Sequence, residues 1–168
     1  MNIQKLEQVL PAAPLKIAAL KSCESMGQKV NDYIVSFRKE SLNKYVDSAL
    51  FASYKCENYL IEHSCPRFGS GEAKGSLGES VRGKDLFVMV DVCNYSLTYT
   101  VNGHLNHMSP DDHYQDLKRI ISAANGKAHR VNVIMPFLRK SRQHKRSKRE
   151  SLDCAQALEE LIDMGVSN

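Results

Sequence analysis

The chain has 168 residues, a hydrophobic fraction of 42% and a formal net charge of +4, an ordinary composition for a soluble globular protein. This length suits one domain with a real hydrophobic core. No apolar stretch is long enough to cross a bilayer, and the N-terminus lacks the basic and apolar regions of a signal peptide. The five cysteines are scattered without CxxC spacing, which argues against a zinc ribbon or redox pair, so we expect reduced thiols in a cytoplasmic protein.

Strand and helix patterns alternate along the first part of the chain. Apolar periodicity predicts a strand, two helices and the start of a second strand, at 15–20, 23–37, 40–55 and 59–61. Ser22 is the expected cap of the first helix.

The same alternation continues in the second part. The apolar runs 85–92 and 130–137 are typical of strands buried on both faces. Ser109 and Pro110 predict the start of a helix that runs to about Ala124. A last helix, about 151–164, is predicted to turn five residues inward: Leu152, Ala155, Leu158, Leu161 and Ile162. The whole pattern predicts an α/β fold with a parallel-type sheet flanked by helices, whose ligands lie beyond the carboxyl ends of the strands.

The glycine-rich stretch RFGSGEAKGS, residues 67–76, resembles a phosphate-binding loop only superficially. In a P-loop the lysine follows the last glycine and precedes Ser or Thr, whereas here Lys74 precedes Gly75. In a dinucleotide-binding loop the third glycine comes three residues after the second, whereas Gly75 comes four after Gly71. By pattern alone, a surface turn is the simpler interpretation.

A basic segment directly follows the predicted strand at 130–137. Seven of the eleven residues 139–149 are Lys or Arg. Such a segment can be a solvated surface, but its place at a strand end favours an anionic ligand. RNA binding is an alternative, which the lack of interleaved aromatic residues disfavours.

Four motifs follow one another along the chain: FGSGE (68–72), ESVRGKDLFVMVDVCN (79–94), VIMPF (133–137) and SRQHKRSKRES (141–151). Together they resemble the N-terminal half of ribose-phosphate pyrophosphokinase, the enzyme that makes phosphoribosyl pyrophosphate. The resemblance covers about residues 60–165 and is closest to a longer bacterial variant, because of His144 and the segment NYSLTYTVNGHLNHMSPDDH. It implies a phosphoribosyltransferase-like sheet with an extra N-terminal helical segment, in a single domain at 1–168 that includes an extension at 1–14.

The resemblance also implies roles for individual residues. Phe68 would stack on the adenine of ATP, and Glu72 would hydrogen-bond near it across a subunit interface. Ser70 stands where the family has an aspartate, and His144 replaces another. The ATP phosphates and ribose would be held by the basic segment, through Arg142, Gln143, Lys145 and Arg146. Two further residues, Ser80 and Arg82, would contribute to a regulatory anion site.

The implied reaction transfers the pyrophosphoryl group of ATP to ribose 5-phosphate with the help of Mg²⁺. The resemblance places the magnesium ligands and the sugar-phosphate site mostly outside this chain, so we expect an ATP-positioning half that is inactive alone and self-associates. A non-catalytic regulatory homologue that binds nucleotide or anions is the competing hypothesis, motivated by Ser70 and His144.

Two further features have simpler explanations. His104, His107 and His113, with Asp111 and Asp112, do not have the spacing of a known metal site, and surface histidines are expected instead. Cys93 and Cys154 are expected to be core or near-core residues rather than reactive thiols.

Overall fold

The computed structural model describes residues 11–42, 53, 55–124 and 126–168. The predicted helix at 40–55 lies outside these residues except for its first three and two isolated positions near its end. Most of the N-terminal extension also lies outside them.

Three parallel strands form the central sheet, as the sequence predicted. β1 (Leu15–Ala19) pairs with β4 (Asp85–Met89), and β4 pairs with β7 (Arg130–Ile134). Single parallel bridges extend the sheet on both sides, from Ile17 to Leu60 and from Val131 to Val166. The predicted strand at 59–61 is therefore one bridge beside β1.

Helices cover both faces of this sheet. α1 (Glu24–Leu42) packs against the face formed by alternate residues of β1 and β4, including Ile17, Ala19 and Met89. α2 (Pro110–Ala124) and α3 (Asp153–Asp163) pack against the opposite face, which carries Leu86 and Val88. The continuous apolar run of β4 is explained by this arrangement, because a central parallel strand is buried on both faces.

Two short antiparallel pairs flank the sheet. β2 (His63–Ser64) pairs with β3 (Ser76–Leu77), and β5 (Thr98–Val101) pairs with β6 (His104–His107). The β5–β6 hairpin was not predicted. Its turn is Asn102-Gly103, with φ of 50° and 80°, which is the residue pair that a tight hairpin turn favours.

Of the two predicted helix caps, Ser109 is confirmed and Ser22 is wrong. The Ser109 hydroxyl accepts the Asp112 N–H (3.1 Å), and the Asp112 carboxylate accepts the Ser109 N–H (2.8 Å), so α2 begins with a reciprocal cap as predicted. Ser22 does not cap α1. Its hydroxyl accepts the Asp91 N–H (3.1 Å) and joins the end of β1 to the loop after β4.

The predicted inward face of α3 is confirmed at Leu161 and wrong at Leu158 and Ile162. Leu158 is 41% exposed and Ile162 is 66% exposed, whereas Cys154, Ala157 and Leu161 are buried. The helix therefore turns a stripe with two small side chains toward the sheet, and small residues allow the backbones to approach closely.

The expectation for Cys154 is confirmed, but the one for Cys93 is wrong, because Cys93 is exposed. β4 ends at Met89, and the Asp91 carboxylate accepts the Cys93 N–H (2.9 Å). This local turn takes Cys93 out of the strand direction and away from the core.

Cysteine reactivity tests this placement. Burial, followed by the nearby Asp116 charge, raises the pKa of the Cys65 thiol to about 11, so only about one molecule in a thousand carries the thiolate at pH 8. Burial first, then the Asp91 charge, also raises the pKa of Cys23. We therefore expect iodoacetamide to modify Cys93 well before Cys23, Cys65 or Cys154, as followed by mass spectrometry of the native protein. Equal rates at Cys65 and Cys93 would contradict the placement of both residues.

Candidate functional site

The first candidate element is a tight turn at residues 68–72. The Phe68 N–H donates to the Glu72 carbonyl (2.7 Å), and the Gly71 N–H donates to the Phe68 carbonyl (2.9 Å). Gly71 has φ of +89°, a conformation that favours glycine. The Ser70 hydroxyl donates to the Glu72 carboxylate (2.9 Å). The Phe68 side chain is 51% exposed, so a half-exposed aromatic ring and a carboxylate stand on one short turn.

A buried ion cluster anchors this turn to α2. The Arg67 guanidinium donates two hydrogen bonds to the Asp116 carboxylate, at 2.6 and 3.0 Å. Arg119 also donates to Asp116, at 2.7 Å. The side chains of Arg67 and Asp116 are only 9% and 10% exposed. A bidentate pair away from water fixes the chain direction immediately before Phe68.

The β5–β6 hairpin packs against the same segment. The Arg67 guanidinium carbon lies 5.1 Å from the centre of the Tyr99 ring, within the range of a cation–π contact. A side-chain carbon at Gly71 would lie 3.7 Å from a Val101 methyl group, so the turn approaches β5. The hairpin was missed in the sequence, although Asn102-Gly103 between short β-type runs was a signal that could have revealed it.

The second candidate element is the basic segment at 139–149. Arg139 is 12% exposed and makes an ion pair with Asp111, while burial lowers the pKa of its guanidinium. Lys140 pairs with Asp153 at 3.4 Å. These two residues tie the segment to α2 and α3. The other five cations are exposed and have no ion pair among the described residues: Arg142, Lys145, Arg146, Lys148 and Arg149.

Arg142 and Gln143 lie in a short 3₁₀ turn, Ser141–Gln143. The Nδ1 atom of His144 lies 2.9 Å from the Ser141 carbonyl oxygen, which holds the imidazole against the turn. Because this segment leaves the carboxyl end of β7, the structure places it at the edge where α/β proteins bind ligands.

The turn and the basic segment come from different parts of the fold. No hydrogen bond or ion pair joins residues 67–73 to residues 139–149 within the described chain. Ser80 and Arg82 lie in a third part of the fold. They are exposed and precede β4, at the amino edge of the sheet, where the Ser80 hydroxyl accepts the Arg82 N–H (3.3 Å). In one copy of the chain the two proposed anion sites are thus on opposite edges of the sheet.

Comparison with known proteins decides the family. Residues 15–165 match the family described as the N-terminal domain of ribose phosphate pyrophosphokinase. The chain belongs to this family. The family that the four motifs suggested and the predicted α/β fold class are confirmed, whereas the roles of individual residues stay predictions.

A solved structure supports the same fold. The phosphoribosylpyrophosphate synthetase from Mycobacterium smegmatis matches with a TM-score of 0.56 and 18% sequence identity. The match covers 90% of this chain but only 40% of that protein, so the chain spans less than half the length of its structural relative. No curated protein sequence matches the chain. Across the described residues of this pyrophosphokinase domain, no helix is long and apolar enough to cross a membrane.

The histidines and acids around α2 do not converge on a metal site. The described residues contain no group of three potential ligands. The expectation of a surface histidine is wrong for His113, which is buried because its Nε2 atom lies 2.8 Å from the Asn94 carbonyl oxygen. Asp111 is paired with Arg139 and Asp112 caps α2, so both carboxylates already have partners. The five side chains singled out in the sequence therefore form no metal-binding cluster in the described part of the chain.

Gly75 lies against the backbone of α2, so the effect of adding a side chain there can be predicted. A side-chain carbon at Gly75 would lie 2.5 Å from the Arg119 carbonyl oxygen, whereas one at Gly69 would meet nothing within 4 Å. We expect Gly75→Ala to lower the free energy of unfolding by about 1–3 kcal/mol, because backbone must move to admit the methyl group. Gly69→Ala should change it by less than about 0.5 kcal/mol. Urea unfolding followed by circular dichroism measures both, and equal effects would contradict the close approach.

The ion cluster makes a second prediction. Asp116→Asn removes the charge that the buried Arg67 and half-buried Arg119 guanidinium groups share, so we expect a loss of about 3 kcal/mol in the free energy of unfolding. Asp163→Asn is the matched control, since that side chain is exposed at the end of α3, and it should change stability by less than about 0.5 kcal/mol. Similar unfolding curves for the two variants would show that the cluster does not anchor the turn.

Proposed function

We propose that the chain is the ATP-positioning half of a ribose-phosphate pyrophosphokinase. In the complete reaction, the 1-hydroxyl of ribose 5-phosphate attacks the β-phosphorus of ATP, and AMP leaves. The observation that carries the proposal is that one chain has both parts that a nucleotide site needs. It has a half-exposed phenylalanine on an anchored turn and an exposed cationic segment at the carboxyl edge of the sheet.

The turn supplies the base-recognition part of the proposal. Phe68 offers an aromatic face to the adenine ring, and its position is held by the Arg67–Asp116 pair and by the backbone hydrogen bonds of the turn. Glu72 lies on the same turn and can accept a hydrogen bond from an amino group of the base. In place of the family's usual aspartate, the Ser70 hydroxyl donates to Glu72 and orients its carboxylate.

The basic segment supplies the phosphate-recognition part. The planar guanidinium groups of Arg142 and Arg146 suit phosphate oxygens, and Lys145 adds a further positive charge. Gln143 lies in the same 3₁₀ turn and can donate to a phosphate or ribose oxygen. The His144 imidazole lies against the Ser141 carbonyl. Because His144 stands where the family has an aspartate, the segment carries no negative charge at this position.

We propose that this chain binds and positions ATP but does not by itself transfer the pyrophosphoryl group. Mg²⁺ would neutralise phosphate charge in the complete enzyme, but no cluster of potential ligands exists among the described residues. The site for ribose 5-phosphate is also assigned to the other part of the enzyme. The chain should therefore bind ATP and release no AMP in the presence of ribose 5-phosphate.

Self-association is part of the same proposal. Among the described residues, no hydrogen bond or ion pair joins the turn to the basic segment within one copy. The two parts can still belong to one nucleotide site if neighbouring copies supply them. This agrees with a role for Glu72 across a subunit interface. The expected assembly is a homo-oligomer, with neither membrane nor nucleic acid as a partner, in the cytoplasm.

Two other functions remain in competition. A regulatory homologue that binds nucleotide or anions, with Ser80 and Arg82 at the amino edge, is favoured by the loss of two usual acids at Ser70 and His144. An RNA-binding module is favoured by the five exposed cations at 142–149, and it requires steep salt dependence without preference for adenine.

Calorimetric titration of ATP distinguishes these functions. We expect Phe68→Ala and Arg142→Ala each to weaken ATP binding at least about tenfold, because one removes base stacking and the other a charge-assisted hydrogen bond to phosphate. The controls are Tyr95→Ala, which removes an exposed aromatic residue elsewhere, and Arg149→Ala, which removes a cation outside 142–146.

Other outcomes decide against the proposal. If Arg142→Ala weakens binding but Phe68→Ala does not, the segment binds anions only and the regulatory function is favoured. Equal weakening by Arg142→Ala and Arg149→Ala, with no preference for ATP over RNA, would favour the RNA-binding function.

A further inference from the structure

A cavity of about 580 Å³ lies between the carboxyl end of β1 and the β5–β6 hairpin. None of the residues assigned to ATP or to the regulatory anion lines it. Its wall comes from three places: the end of β1 with the 3₁₀ turn that follows, the segment 63–67, and the hairpin with the first turns of α2. We propose that this cavity binds a small organic molecule with a planar ring body and one negative charge.

The size and lining fit a small-molecule site. Pockets of about 300–1,000 Å³ with mostly apolar walls and a few polar groups are the usual form of such sites. Leu20 and Met108 are buried side chains that form part of the apolar wall, and Pro66 and Leu97 add to it. Tyr99 provides an aromatic ring beside this apolar wall. The wall therefore suits a ring body rather than a free inorganic ion.

The charges around the cavity favour one negative group. Four charged side chains line it, two of each sign: Lys21, Glu24, Arg67 and Asp116. Arg119, just behind the wall, donates to Asp116 and leaves the three-residue cluster with one net positive charge. Lys21 is exposed at the rim and has no ion pair among the described residues, so it is available to an anionic group.

The position in the fold supports the same conclusion. The cavity lies beyond the carboxyl end of a parallel strand, where open α/β sheets bind ligands. The base of the hairpin is closed by the Met108 N–H, which donates to the Leu97 carbonyl (2.8 Å). The segment that leads into it is held by Asn94, whose side chain donates to the Ser22 carbonyl (3.0 Å) and whose carbonyl lies 2.8 Å from His113 Nε2. A held wall limits the ordering cost of binding.

Methyl NMR of methionine-labelled protein tests the proposal, with naphthylacetate as the anionic ring probe and naphthylethanol as its neutral analogue. Met108 lines the cavity, whereas Met164 does not, so the two methyl signals serve as reporter and internal control. We expect naphthylacetate to shift the Met108 signal in a saturable way and to bind about tenfold tighter than naphthylethanol.

Variants locate the binding. Tyr99→Ala should weaken naphthylacetate binding about tenfold, and Tyr95→Ala, at an exposed tyrosine outside the cavity, should not. Lys21→Gln should reduce the preference for naphthylacetate over naphthylethanol, whereas Lys29→Gln, an exposed lysine on α1, should keep it. Lys21 is exposed, so this pair remains informative if Tyr99→Ala disturbs folding. Phe68→Ala should leave probe binding unchanged, which separates this cavity from the proposed ATP site.

Three results would overturn the proposal. One is a Met108 signal that does not shift up to the solubility limit of naphthylacetate. Another is an equal shift of the Met108 and Met164 signals, which means non-specific adsorption. The last is an affinity that stays the same in both Tyr99→Ala and Lys21→Gln.

Discussion

The Asp116 carboxylate is the constraint on which the candidate site depends. It is almost fully buried and accepts hydrogen bonds from Arg67 and Arg119, so one negative charge is shared by two positive ones. Burying such charges is costly unless they are paired in good geometry, which the bidentate Arg67 contact provides. As a result, the segment that leads into the 68–72 turn is attached to α2, and α2 is attached to the core of the sheet.

The sheet then determines what the loops can reach. β1, β4 and β7 are parallel, so the segments that follow them emerge at one edge. The basic segment and the cavity beside β1 are both at that edge, whereas Ser80 and Arg82 are at the other. The two edges of the sheet can therefore carry separate binding surfaces. The proposed nucleotide site would become complete through a second copy of the chain.

Strands and helices with strong local signals were predictable from sequence. The run at β4 is apolar on both faces because it lies between two helical layers. The prediction for 130–137 holds on one face only, because β7 carries Asn132 and the 38% exposed Ile134 on the other face, and Phe137 beyond it is 50% exposed. The start of α2 is encoded by Ser109, Pro110 and Asp112. The side of α3 that faces the sheet was not predictable from apolar spacing. Cys154 and Ala157 are buried while the larger Leu158 and Ile162 are not, which depends on how closely the helix approaches the sheet.

The candidate site was predictable in part, for a different reason. Motif resemblance identified the turn and the basic segment, and the family comparison confirms the resemblance. What the motifs could not indicate is that Tyr99 and Val101 pack against the turn, because the β5–β6 hairpin is distant in sequence from residues 67–71. The cavity next to the hairpin was missed for the same reason, since contacts between segments distant in sequence leave no local pattern.

The most direct test of the nucleotide assignment is photolabelling with an azido-adenine analogue of ATP, followed by peptide mapping. We expect the label to attach to the peptide containing Phe68 and Glu72, and excess ATP to protect that peptide. Labelling confined to other peptides, or labelling of the turn that ATP does not reduce, would contradict the proposal that this turn holds the adenine.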